Sequence, residues 1–199
     1  MNSKRVLAAV YSLRVTGRNA GARELAARLG LGPKEARDEL EKLSRLGLVR
    51  LGSNGAELTP RGRRAIKVVF IGGGFEVIHY GHLYTIKKAR ALGDALVVSV
   101  ARDSTIRKRK NREPLVGEGD RARLLSALRY VDAAVLGVEG DIYLTLERTG
   151  PDVVALGYDQ YHMEEEIARE AAQRGMKLKV VRLDSPYPDI KTSRLLKDF

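Results

Sequence analysis

The chain predicts an α/β fold, a five-stranded parallel sheet with crossover helices, preceded by a small and mainly helical domain. Three observations carry this. From residue 66 onward, short runs rich in Val, Ile and Leu alternate with stretches of 3.6-residue apolar rhythm, the pattern of repeated βαβ units. Before residue 66, three helical stretches precede an Asn-Gly pair set between two short apolar runs. The net charge of +11 is also uneven: residues 1–66 hold 14 Lys and Arg against 6 Asp and Glu, which leaves 22 against 19 for the remainder. A basic module facing a polyanion, joined to a nearly neutral domain with another task, fits that asymmetry. The predicted domains are 1–65 and 66–199.

In the front domain, residues 3–16 read as a helix with Val6, Leu7, Val10 and Leu13 inward, stopped at Gly17. Residues 22–29 form a second helix closed by Gly30. A third begins at Pro33, in the first turn where a missing N–H costs nothing, turns Ala36, Leu40, Leu43 and Leu46 inward and stops at Gly47. Residues 48–51 and 56–58 then flank Gly52-Ser53-Asn54-Gly55, a hairpin turn. This order, closed by Pro60-Arg61-Gly62-Arg63-Arg64, resembles the winged helix-turn-helix domains of archaeal and bacterial regulators. The resemblance implies a third helix in a DNA major groove and a hairpin on phosphates, with Arg50, Arg61, Arg63 and Arg64 as contacts. Glu35, Asp38, Glu39 and Glu41 on that third helix oppose DNA, so a basic solvated face used for packing or dimerisation stands beside it as a reading.

The second domain opens with a strand at 66–71, a helix at 83–91 ending near Gly93 and a strand at 94–101. A basic loop, residues 107–112, leads past Pro114 to a helix at 118–130 with Leu124, Leu125 and Leu128 inward. A strand at 131–136, a helix at 141–148, a strand at 152–157, a helix at 164–174, a strand at 178–181 and a short helix from Thr192 complete the pattern. Cysteine is absent, which excludes disulfides and thiolate nucleophiles. No 18-residue apolar run and no signal pattern is present, so the chain is expected to be cytoplasmic and to involve no membrane.

Chemistry concentrates between Gly72 and His82. The first strand ends in Gly72-Gly73-Gly74, and His79 and His82 follow where a helix begins. In an open parallel sheet this junction lies at the carboxyl ends of the strands, where ligands bind and a helix start offers N–H groups to an anion. Histidines at i and i+3 lie on nearly one side, so both reach one ligand. Three uses compete. Metal ligation lacks partners, since His162 is the single further histidine and no thiolate exists. A capping or core role suits any histidine. A phosphate site is favoured, because the glycines permit close backbone approach and Gly81 removes a side chain where a phosphate would sit.

With His79-Tyr80-Gly81-His82 at its centre, the second domain resembles the nucleotidyltransferase superfamily defined by a His-x-Gly-His motif, which implies a Rossmann-like five-stranded parallel sheet. Members usually open with Gly-Thr-Phe-Asp; Gly73-Gly74-Phe75-Glu76 stands in that place here. Further matches are Ala101-Arg102-Asp103-Ser104-Thr105, Arg129-Tyr130-Val131-Asp132, Leu156-Gly157-Tyr158-Asp159-Gln160 and Lys191-Thr192-Ser193-Arg194. The resemblance implies direct transfer of a nucleoside monophosphate from ATP or CTP to a phosphorylated acceptor, releasing pyrophosphate. It places His79 and His82 on the triphosphate, with Mg²⁺ arriving on the nucleotide and few protein ligands to it. Lys108 and Lys110 are the cations expected to reach the phosphates from the loop, with Arg121 as a third. Thr192, Ser193 and Arg194 would take the pyrophosphate. Gly73, Gly74, Phe75, Glu76 and Gly81 would line the nucleotide, and the nucleoside would lie across Gly157 to Gln160 in contact with Asp159. Tyr187 reads equally as a stacking partner or as loop packing, the basic run also reads as a solvated face, and His162 reads as structural.

Within the superfamily, residues 101–105 and 155–160 resemble the same strings of archaeal FAD synthases, which adenylylate FMN. Glycerol-phosphate and related cytidylyltransferases usually carry Arg-Thr-x-Gly-Ile-Ser-Thr before the last helix, and residues 182–193 match only its end. The expectation is an enzyme transferring AMP from ATP to FMN. A CTP-dependent cytidylyltransferase acting on glycerol phosphate or another phosphorylated headgroup is the alternative. A different class, a nucleotide- or flavin-sensing transcriptional regulator bound to DNA, follows from the basic front domain. The resemblance also allows a homodimer.

Overall fold

Residues 1–67 and 68–199 form two units, and the computed structural model describes residues 2–160, 163–187 and 190. In the first unit α1 (Ser3–Val15) is capped by Asn2, whose side chain accepts from the Lys4 N–H at 3.0 Å. It is buried continuously from Val6 to Leu13, because α2 (Ala22–Leu29), α3 (Pro33–Arg45), a hairpin strand and a further helix surround it. The hairpin pairs β1 (Val49–Gly52) with β2 (Gly55–Leu58), antiparallel, Val49 opposite Leu58. Helix α4 (Pro60–Arg64), not foreseen as an element, starts where Thr59 Oγ1 accepts from the Gly62 N–H at 3.1 Å. A Cβ at Gly62 would lie 1.9 Å from the Leu48 carbonyl oxygen, so only glycine lets α4 meet the hairpin.

One expectation for this unit is corrected. Leu46 is 47% exposed, because it falls at the cap of α3, past the last full turn. Three of the four arginines assigned to DNA also fasten the unit itself. Arg50 pairs with Glu57 at 3.1 Å, Arg61 donates to the Leu46 carbonyl at 3.2 Å, and Arg63 donates to the Ile66 carbonyl at 3.1 Å with its guanidinium over the Tyr11 ring.

The second unit is a parallel sheet in the order β5-β4-β3-β6-β7, formed by β3 (Val68–Gly73), β4 (Ala95–Val100), β5 (Ala133–Leu136), β6 (Val153–Leu156) and β7 (Lys179–Arg182). All six residues of β4 are buried, as expected of a strand with helices over both faces. The crossovers carry α5 (Tyr80–Arg90), α6 (Asp103–Lys110), α7 (Glu118–Ser126), α8 (Ile142–Thr149) and α9 (Glu164–Gln173). Val69, Ile71, Phe75, Ile86, Leu96, Val98, Val100 and Leu125 form one apolar core, each such side chain contributing about 1.5–3 kcal/mol by leaving water. Register is pinned by two aspartates at strand entrances. Asp152 accepts from the Val68 N–H at 2.7 Å, and Asp132 from the Leu96 N–H at 2.8 Å.

Residues 107–110 are the last turn of α6 rather than a loop. Helix α7 stops at Ser126, and Leu124 is 50% exposed while Leu125 is buried. The helix expected from Thr192 lies outside the described residues. Among the described residues no helix is long and apolar enough to cross a membrane. From β3 the chain steps outward through β4 and β5, then returns beside β3 as β6 and leaves through β7. The order therefore reverses between β3 and β6, and the crevice at their carboxyl ends is where such sheets hold ligands.

Candidate active site

Phe75 adopts a φ of 51°, a left-handed conformation that costs a bulky residue energy and serves to turn the chain sharply after β3. The turn drops its ring into the core, 5.2 Å from the His82 ring and tilted by 58°. A Cβ at Gly73 would come within 2.9 Å of the Phe75 ring, so this glycine is required by close approach. Gly74 is different: the nearest atom to an added Cβ is Ile106 Cδ1 at 4.0 Å, ordinary contact.

His79 is the cap residue of α5 and His82 follows one turn later, their rings stacked at 3.9 Å with 25° between planes. Burial pushes the His82 imidazole down to about 4, helped by the neighbouring His79 ring and by Lys110, against the opposing pull of the Val77 backbone and Asp159. Burial also lowers His79, with Asp159 opposing. Both rings are thus neutral at pH 7. His82 Nδ1 is buried and has no hydrogen-bond partner among the described residues. An added Cβ at Gly81 would sit 3.2 Å from the His79 ring and 3.3 Å from the Ile190 carbonyl. A side chain at Gly81 would thus press on the His79 ring and the Ile190 carbonyl.

Three expected ligand contacts are turned inward. Phe75 supports His82 from the core. The Glu76 carboxylate is wholly buried and accepts from Lys110 Nζ at 2.5 Å, from Arg112 at 2.7 and 3.0 Å, and from the Leu115 N–H at 3.3 Å. Burial would raise its pKa, but the hydrogen bonds from Arg112 and Lys110 outweigh that and hold it at about 2. Arg121, 1% exposed, donates to the carbonyls of Val116 at 2.8 Å, Gly74 at 2.5 Å and Ala101 at 2.9 Å, and pairs with Asp103 at 2.6 Å. A guanidinium so surrounded by acceptors braces the glycine turn instead of reaching a phosphate. Lys108 remains exposed on the last turn of α6, while Lys110 is brought to the signature stretch by Glu76.

Across the crevice, Gln160 bridges two strand ends: its Oε1 accepts from the Gly157 N–H at 3.0 Å and its Nε2 donates to the Gly72 carbonyl at 2.6 Å. Arg182 donates to the Gly157 and Gln160 carbonyls, both at 3.0 Å, and pairs with Glu164 at 2.6 Å. From sequence, Gln160 stands only as the end of the stretch expected under the nucleoside, and Arg182 carries no expected role. The signal available was a polar side chain three positions beyond a strand-terminal glycine. Asp159 lies in this same turn and acts electrostatically on both histidines. Tyr187 meets Tyr80 edge-on at 4.8 Å and Tyr84 at 5.7 Å, so its ring packs on α5. His162, Thr192, Ser193 and Arg194 lie outside the described residues. Among the described residues no three His, Asp or Glu converge.

A parallel sheet with a neutral histidine pair at its switch point, flanked by a basic helix end, is the framework of a nucleotidyltransferase. Residues 70–197 match the cytidylyltransferase-like family. The chain belongs to that family. Its relatives include an FAD synthase of Pyrococcus horikoshii, 44% identical over 137 residues that cover 67% of this chain and 92% of that protein. An FAD synthase of Aciduliprofundum boonei is 48% identical over 111 residues, covering 56% of this chain and 74% of that protein. Among solved structures, a lipopolysaccharide core biosynthesis protein from Thermoplasma volcanium is 40% identical with a TM-score of 0.58, over 60% of this chain and 98% of the other.

Proposed function

We infer that the chain is an FAD synthase, transferring AMP from ATP to FMN with release of pyrophosphate. The observation that carries this reading is the stacked pair His79 and His82 at the switch crevice, in a chain whose 41–48% identical relatives include several FAD synthases. A phosphate oxygen of FMN attacks the α-phosphorus of ATP, the bond from that phosphorus to the bridging oxygen of the β-phosphate breaks, and pyrophosphate leaves with the electron pair. No covalent enzyme intermediate is needed. Positioning and stabilisation of spreading negative charge then supply most of the rate. His79 and His82 hydrogen-bond the triphosphate, Lys108 and Lys110 bring positive charge from α6, and the turn from Gly157 to Gln160 seats the nucleoside with Asp159. Mg²⁺, held by phosphate oxygens, would neutralise charge on the leaving pyrophosphate. Thr192, Ser193 and Arg194 are proposed for the pyrophosphate end.

Incubation with ATP, FMN and Mg²⁺ is expected to yield FAD and pyrophosphate, and His82→Ala is expected to abolish the yield. Turnover of CTP with glycerol phosphate or another phosphorylated alcohol, without turnover of FMN, would replace this reading by a cytidylyltransferase.

A second partner is proposed for the first unit. The excess of 14 basic over 6 acidic residues in 1–66, on three helices followed by a hairpin, supports a winged helix that binds DNA. Pairing of two chains through this unit into a homodimer, as many such domains do, belongs to the same proposal.

A further inference from the structure

Glu76 takes no part in the transfer chemistry above, yet its buried carboxylate holds two cations of the basic segment at once. Lys110 approaches at 2.5 Å, Arg112 at 2.7 and 3.0 Å, and the Leu115 N–H at 3.3 Å. A buried carboxylate stripped of its sole cation is strongly destabilised. With two cations present, either can leave while the other and the backbone N–H still satisfy the acid.

The two cations are not equivalent. Arg112 forks across both carboxylate oxygens and is further fixed by donating to the Glu113 carbonyl at 2.8 Å. Lys110 makes one contact from the end of α6, its side chain is 40% exposed, and its charge is felt at His82. The cluster of Glu76, Lys110 and Arg112 therefore carries one surplus positive charge beside the histidine pair.

We propose that Glu76 is a positioning residue that parks Lys110 next to the histidines, and that an arriving triphosphate draws Lys110 away while Arg112 keeps the carboxylate satisfied. This rests on nucleotidyl transfer at His79 and His82. The exchange is a competition between one carboxylate and a polyanion for a single ammonium group. Arg112 is what allows the carboxylate to give it up.

The test is the order of effects among variants of the full chain, assayed for kcat and KM with respect to ATP at saturating FMN, with thermal melting as the check on folding. Lys110→Met lowers kcat/KM for ATP by about tenfold to hundredfold, the scale of one charge-assisted hydrogen bond. Arg112→Ala leaves Lys110 as the last cation on Glu76, so the lysine is held captive and kcat/KM falls by a similar factor. Arg112→Lys, which keeps a cation on the carboxylate, restores it. Adding Glu76→Gln to Arg112→Ala removes the competing charge, frees the lysine and recovers activity by about tenfold. A brace that merely held the fold would give the opposite order: a double variant as impaired as Arg112→Ala, or more so, overturns the proposal. If the wild-type chain does not adenylylate FMN, the functional reading fails by itself. The same four-variant order, read as calorimetric affinity for ATP with Mg²⁺, still decides the exchange of Lys110.

Discussion

Single residues in the signature stretch divide into those that touch empty space and those that touch the core, and substitutions follow that division. Gly73→Ala would force a methyl within 2.9 Å of the Phe75 ring, displacing the side chain on which His82 rests. It is expected to cost about 1–3 kcal/mol of stability and to lower activity, read by urea unfolding and FAD formation. An added Cβ at Gly74 meets only Ile106 Cδ1 at 4.0 Å, so Gly74→Ala is expected to change stability by no more than about 0.5 kcal/mol. His82 gives a pH dependence whose sign is fixed by its depressed pKa. Between the unfolded value of 6.5 and the folded value of about 4, the unfolded chain binds the proton and the folded one does not. Stability is therefore full above pH 6.5 and lost as pH falls towards 4, by up to about 3 kcal/mol. Chemical unfolding at pH 7 and pH 5 should show this slope in the wild type and a shallower one in His82→Asn. At this scale the motif was legible, because a His-x-Gly-His spacing after a strand survives in the string of letters. The inward turn of Phe75, Glu76 and Arg121 was not, since their direction depends on a left-handed φ and on acceptors up to 47 residues away.

At the scale of elements, the basic helix end is held by a reciprocal staple between two helix starts. The Asp103 N–H donates to Glu118 at 2.7 Å, the Glu118 N–H donates back to Asp103 at 3.3 Å, and Arg121 and Arg102 clamp the two acids. Glu118→Ala removes one cap and leaves the Asp103 N–H without its partner, with an expected loss of about 1–2 kcal/mol. Hydrogen exchange should show faster opening of α6 before any change in β3 and β4. Strands β3, β4 and β6 were readable because their apolar runs are buried on both faces. Helix α6 was not, since Ile106 is its one buried residue and a run of Arg and Lys shows no apolar period. For the same reason Leu124 and Leu125 were assigned one face, although only Leu125 reaches the core.

At the scale of the whole molecule, the region shared with the Pyrococcus horikoshii FAD synthase covers 92% of that protein but 67% of this chain. A chain lacking residues 1–66 is expected to keep FMN adenylylation within about threefold, a surface-unit change being small beside the loss of a catalytic contact. The full chain is expected to bind duplex DNA with an affinity that falls roughly tenfold or more between about 50 and 200 mM salt, measured by fluorescence anisotropy. Absence of salt-dependent binding would leave the arginines of the first unit to their internal contacts. Charge also governs how the second unit meets its nucleotide. Burial lowers the pKa of both imidazoles in the free protein, so the positive charge beside the crevice comes from Lys110 and Arg112 and not from the histidines. A triphosphate seated beside the rings acts against that lowering, so its binding is expected to be accompanied by proton uptake from solvent. Binding heats measured in buffers of different ionisation enthalpy are expected to differ, and affinity to rise with acidity: the histidines add their charge to that of the Lys110 and Arg112 cluster only when the cargo that needs it is already in place.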